Sequence, residues 1–137
     1  NEVVKAHPDF RTFATMNPIE GYSGGQDINQ ATSDRFAMSL ECTYLPADSE
    51  IRVICEQSGV QNPAIARQFV QLANDLRNLK AQHDLESDTS TRMLISMMQA
   101  TTDLSVSEIV EYIMIGRYQP HEAELIKTTA RARLSDY

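Results

Sequence analysis

NPAIARQFVQLANDLRNL, residues 62–79, is the stretch on which the fold class turns. Within it Ile65, Phe69, Leu72, Leu76 and Leu79 recur at steps of three and four, the spacing that gathers side chains on one face of an α-helix. Asn62 offers a side-chain oxygen to the unpaired amides of the first turn, and Pro63 stands at the first helical position, where a missing N–H removes no helical bond. The segment therefore predicts an amphipathic helix that needs apolar neighbours.

Those neighbours are encoded on both sides. Upstream, Asp48–Ser58 turns Ile51, Ile54 and Cys55 inward and stops at Gly59, a usual left-handed cap. Downstream, Thr89 or Ser90 can cap a helix carrying Leu94, Met97 and Met98. Ser105 or Ser107 can cap another with Val106, Ile109, Val110 and Ile113, ending near Gly116. A last helix follows Pro120, with Ala123, Ile126, Ala130 and Leu134 in line, and Lys127, Arg131 and Arg133 in its later turns suit the helix dipole.

The pattern changes before Pro46. Pro8, Pro18, Gly21, Gly24 and Gly25 punctuate short elements there. Phe10–Met16 (FRTFATM) reads as a short buried strand stopped by Asn17-Pro18, and 27–35 as a short helix. Phe36, Met38, Leu40, Cys42 and Tyr44 alternate with more polar residues as a second strand. The expected fold class is mainly α with a small α/β part, divided into 1–45 and 46–137. Two strands cannot cover both faces of a parallel sheet, so Phe13, Phe36, Met38 and Leu40 are expected to lack their sheet neighbours.

Composition narrows the chemistry. With 42% hydrophobic and 23% charged residues in 137, the chain is of ordinary globular type. Nineteen acids against 12 bases, a net charge of −7, argue against a general phosphate-backbone binder, so no nucleic-acid partner is expected. No apolar run approaches ~18 residues and no secretory pattern opens the chain, so no membrane partner and a cytoplasmic location are expected. Cys42 and Cys55 lack CxxC spacing and read as core thiols. His121-Glu122 opens like HExxH, but Leu125 stands at the second histidine position. Asp84, Glu86 and Asp88 alternate like a calcium loop, yet Thr89 replaces its glycine and Ile95 its closing glutamate, leaving a solvated loop. No metal site is expected. Neither a GxxxxGK[ST] loop nor a GxSxG elbow is present.

Three polar residues stand at the edges of apolar elements. Asn17 ends the first strand, where ligands of α/β sheets gather; Arg35 precedes the second; Arg92 opens a helix beside free backbone donors that favour an anion. Taken singly, Asn17 before Pro18 also reads as a turn residue, Arg35 after Asp34 as half of a local ion pair, and Arg92 as a side chain snorkelling from an apolar face.

Taken together they carry a resemblance. FRTFATMNP (10–18), GYSGG (21–25) and INQATSDRF (28–36) resemble the later part of an AAA+ ATPase core of the MoxR/CbbQ/NorQ, dynein-related group, and Thr89–Leu94 is the best local match to that family's helical lid. The resemblance implies the last strands of a P-loop AAA+ core followed by a helical-bundle lid. It puts Asn17 at the sensor-1 position, aligning the attacking water, and Arg35 at the arginine-finger position, reaching the nucleotide of the next subunit. Arg92 falls at sensor 2 on the lid, touching phosphate of its own subunit's nucleotide. It further implies ATP with Mg2+ as the cofactor of a longer parent whose Walker A and Walker B segments lie upstream of Phe10. That parent would be a ring, expected to be hexameric, of neighbouring ATPase subunits, remodelling a partner protein such as a von Willebrand A-domain protein. The 137-residue piece alone is not expected to turn over ATP. The competing expectation is a self-contained helical protein-interaction module without catalytic activity, for which Met93, Met97, Met98 and Met114 would supply an adaptable face. An acidic regulator of a basic partner, resting on net charge alone, ranks last.

Overall fold

A helix satisfies its own backbone, and the regular structure among the described residues is helical. The computed structural model describes residues 4–16 and 30–137, and the chain divides into two units, Asn1–Glu41 and Cys42–Tyr137.

In the second unit α2 spans Ala47–Ser58 and α3 spans Pro63–Ala81; α4 spans Thr91–Ala100, α5 Val106–Ile109 and α6 Ala123–Arg133. Asn62 caps α3 by accepting a 3.3 Å bond from the Ile65 amide. Gly59 closes α2 at φ 75°, its N–H donating to the Cys55 carbonyl. A side chain there would meet open space, so glycine is needed for the backbone angle and not for clearance. Ser105 opens α5 with a reciprocal cap: its hydroxyl accepts from the Glu108 amide at 3.4 Å, and the Glu108 carboxylate accepts from the Ser105 amide at 2.9 Å.

α3 is the central element, packing against α2, α4 and α6. Phe69, Leu72 and Leu76 on it are fully covered, together with Ile54, Leu94, Met97, Met98 and Ile126 from its neighbours. Polar ties flank the α3–α6 contact: Arg133 pairs with Asp75, and Gln68 exchanges bonds with the hydroxyl and amide of Ser135. Met93, Met97, Met98 and Met114 are all buried core residues, so they offer no adaptable outer face.

The helix expected from Ser105 to Gly116 is not regular. After α5 the chain widens into a π turn, Val110–Met114, in which the Ile115 amide bonds back to the Val110 carbonyl, and then tightens into a 3-10 turn, Ile115–Arg117. A regular helix would put Ile113 in the row of Ile109. The wider turn buries Met114 instead and leaves Ile113 partly covered. A second 3-10 turn, Pro120–Glu122, leads into α6.

In the first unit α1 is one turn, Gln30–Ser33, inside the short helix expected over 27–35. The two expected strands are not found: 10–16 and 36–45 carry no regular structure, and no strand occurs among the described residues. A strand exists through its ladder partner, and neither segment has one there. Phe13, Met38 and Leu40 are accordingly 90%, 74% and 78% exposed, and Phe36 is exposed as well. Cys42 is exposed rather than a core thiol, whereas Cys55 is buried.

Candidate functional site

Of the three residues singled out from sequence, Asn17 lies outside the described residues. Arg35 belongs to the first unit and Arg92 to the second. Arg35 follows α1 and is exposed; its Nη1 donates a 2.7 Å bond to the Ala31 carbonyl, one turn back.

Arg92 stands in the first turn of α4. Ser90 is the cap, accepting from the Met93 amide at 3.2 Å, and Thr89 is turned to another purpose. The Arg92 side chain is exposed, and among the described residues it has no hydrogen bond or ion pair. A guanidinium at a helix start lies beside backbone N–H groups that the helix cannot use, and the two together favour an anion.

The residues just before it are held unusually firmly, and by groups that sequence reasoning missed. Arg77 on α3 uses all three nitrogens of its guanidinium. Nη1 and Nη2 reach the two oxygens of Glu50 on α2 at 2.9 and 2.8 Å, Nη1 also reaches Asn74 Oδ1 at 3.0 Å, and Nε donates to the Thr89 carbonyl at 2.9 Å. Glu50 is wholly buried, and its Oε1 also accepts a 2.6 Å bond from the Thr91 hydroxyl. Such a pair stands its desolvation only because every polar atom is used, and no buried side-chain N or O among the described residues lacks a partner. Burial alone would push the Glu50 carboxyl up; the hydrogen bonds from Arg77 and Thr91 and the Arg77 charge outweigh it and hold it below the usual carboxylate range.

Two tyrosines complete the arrangement. The Tyr44 ring lies 3.5 Å from the Arg77 guanidinium carbon, and burial together with Asp88 pushes its phenol up to about 12. The Thr89 hydroxyl bonds the Tyr118 hydroxyl, both buried, and burial raises the Tyr118 phenol as well.

The loop that delivers these residues is tied down along its length. The Asp84 amide returns to the Leu79 carbonyl at 2.9 Å, and Lys80 reaches the Glu86 carbonyl at 2.7 Å. Glu122 is buried and accepts from the amides of Glu86 and Gln119 at 2.5 and 2.8 Å, so its place after His121 serves a loop clamp. Asp84, Glu86 and Asp88 are exposed, and Asp88 accepts from the Thr89 amide. Among the described residues no group of three His, Cys, Asp or Glu could hold a metal ion.

Similarity to known proteins follows this geometry closely. The CbbQ/NirQ/NorQ C-terminal family matches residues 50–109. That domain is present here. Its match begins at Glu50 and takes in Arg77, Thr89, Thr91 and Arg92; Tyr44, Tyr118 and α6 fall outside it. The chain is 38% identical over 95 residues to the protein CbbQ of Hydrogenophilus thermoluteolus, covering 69% of this chain and 34% of that protein. To the denitrification regulatory protein NirQ of Pseudomonas aeruginosa it is 37% identical over 95 residues, 69% of this chain and 35% of that one. An uncharacterized protein of Staphylococcus haemolyticus is 31% identical over 128 residues, 92% of this chain and 48% of its own length. The chain thus spans half or less of the length of these relatives. The matched domain, which makes up most of the helical unit, and these relatives support a carboxy-terminal part of a MoxR-type AAA+ protein.

The missed residues carried a signal. Glu50 lies four residues before Ile54, and Arg77 four after Ala73, so both charges fall in phase with the apolar rows of their helices. A charge in that phase marks a buried, paired group. Among the described residues no helix is long and apolar enough to cross a membrane.

Proposed function

We propose that this chain serves as the lid-bearing carboxy-terminal part of a ring-forming, ATP-hydrolysing MoxR-type remodelling protein of the cytoplasm, with Arg92 binding the phosphates of its own subunit's nucleotide. The observation that carries the reading is Arg92 itself: an exposed guanidinium without a partner among the described residues, in the first turn of α4, on a base of fully satisfied polar groups inside the matched domain. A cation left unpaired beside an immobilised loop fits a phosphate that arrives from outside the lid.

ATP with Mg2+, when bound by the complete protein, supplies phosphoryl transfer to water. The described residues fit the nucleotide as cationic donors and not as metal ligands. In this reading Arg92 draws the lid onto the phosphates, so lid position follows nucleotide state. Arg35 reaches the nucleotide of the neighbouring subunit and offsets charge on the transferring group. Asn17 orients the attacking water. The ring, taken as hexameric, acts on a protein partner, for which a von Willebrand A-domain protein is the leading candidate. The relative named as a denitrification regulatory protein supports a regulatory task.

The test uses the complete protein. Its coding sequence upstream of Asn1 should contain GxxxxGK[ST] and an apolar strand ending in acids. Arg92→Ala should weaken nucleotide affinity, and Arg35→Ala should abolish turnover while sparing binding. Unchanged affinity in Arg92→Ala removes that residue from its role, and turnover at the wild-type rate in Arg35→Ala removes the other.

A further inference from the structure

The polar cluster under Arg92 is larger than a helix cap requires. Ser90 alone supplies the side-chain cap of α4, yet each of residues 89–91 is fastened separately: Thr89 by its carbonyl to Arg77 and by its hydroxyl to Tyr118, Ser90 by the cap bond, Thr91 by its hydroxyl to Glu50. The fastenings come from α2, from α3 and from Tyr118 just after the 3-10 turn Ile115–Arg117, so the base of Arg92 is located by three segments at once. Arg77 is the common node, because its fork alone touches α2 through Glu50 and the loop through Thr89. Lysine, with one compact ammonium, cannot span both.

We propose that Arg77 is a positioning residue for Arg92: by joining Glu50 to the Thr89 carbonyl it fixes the backbone from which the Arg92 guanidinium leaves, so the lid meets phosphate in one geometry. Tyr44 closes the node from its open side, with its ring on the guanidinium. The inference rests on the role proposed for Arg92 and adds a residue that touches no nucleotide. A long cationic side chain samples many directions, and a fixed base removes part of the ordering cost from the binding step.

Two measurements test it, and they fail separately. In the chain itself, Arg77→Lys should speed amide hydrogen exchange at residues 89–93 while amides of α6 keep their protection. Exchange at 89–93 that stays as slow as in the parent overturns the positioning role whatever Arg92 does. In the complete protein, affinity for ATP is measured in a cycle of Arg77→Lys and Arg92→Ala. Arg77→Lys should weaken binding about 5- to 10-fold when Arg92 is present and not further when Arg92 is alanine, the lower range of couplings between linked sites. An equal loss in both backgrounds makes Arg77 merely structural and overturns the proposal. No loss in Arg92→Ala alone overturns the reading of Arg92, and the nucleotide part of this inference with it. Should Arg77→Lys not fold, Glu50→Gln replaces it in both arms. That variant takes one of the two carboxylate oxygens from the Arg77 fork, so it loosens the same joint between α2 and the loop, and it must meet the same two outcomes in smaller measure.

Discussion

Phe69 and Phe13 are the same residue in two regions that solve opposite problems. Phe69 sits at 0% exposure in the middle of α3, the helix that packs against α2, α4 and α6, whereas Phe13 sits at 90% exposure in an irregular segment. A helix closes its backbone bonds within a few residues and needs only an apolar stripe to dock. An extended segment leaves its amides and carbonyls for a neighbour to satisfy. Residues 47–134 build a core from local elements; 10–16 and 36–45 hold apolar side chains that have no strand partner among the described residues.

The sharpest contrast is one of stability. Phe69→Ala should cost about 3–5 kcal/mol by the lost burial and the cavity left behind, measured by denaturant unfolding. Glu50→Ala should cost a comparable ~3–5 kcal/mol, because it strands the Arg77 guanidinium in the interior. The same pair makes stability depend on pH. The folded carboxyl of Glu50 titrates below its unfolded value, so its contribution is complete above the unfolded pKa of about 4.3 and is lost as pH falls through the folded one. Melting temperature should therefore drop on acidification, and Glu50→Gln should flatten that part of the profile. A profile as steep in Glu50→Gln as in the parent would sink the assignment. Gly59→Ala should cost about 1 kcal/mol, since φ 75° is strained for any side chain although space is open. Phe13→Ser should lie within about 0.5 kcal/mol of the parent, as for other exposed positions, and a larger loss would mean that Phe13 is covered in solution.

Most of the helical unit was legible from spacing and caps. Asn62, Pro63, Ser90 and Gly59 mark their helix ends in the structure as in the sequence, because capping is decided within four residues of chain. The π turn at Val110–Met114 was not legible, since it forms where this segment packs against α4 and a methionine rather than an isoleucine is buried. The short strands were misplaced for a related reason: alternation in 36–44 states which residues want cover and says nothing about whether a partner strand supplies it.

At the site the division runs through neighbouring residues. Arg92 stood out as a cation at a helix start, a property of six consecutive residues. Arg77 and Glu50, 27 positions apart, gained meaning only when α2 and α3 met, and Thr89 changed from candidate cap to partner of Tyr118, 29 positions on. Periodicity and capping are short-range and survive in any one-dimensional record. The enclosure of a charge by its partner depends on packing between distant segments, and only the folded chain holds it.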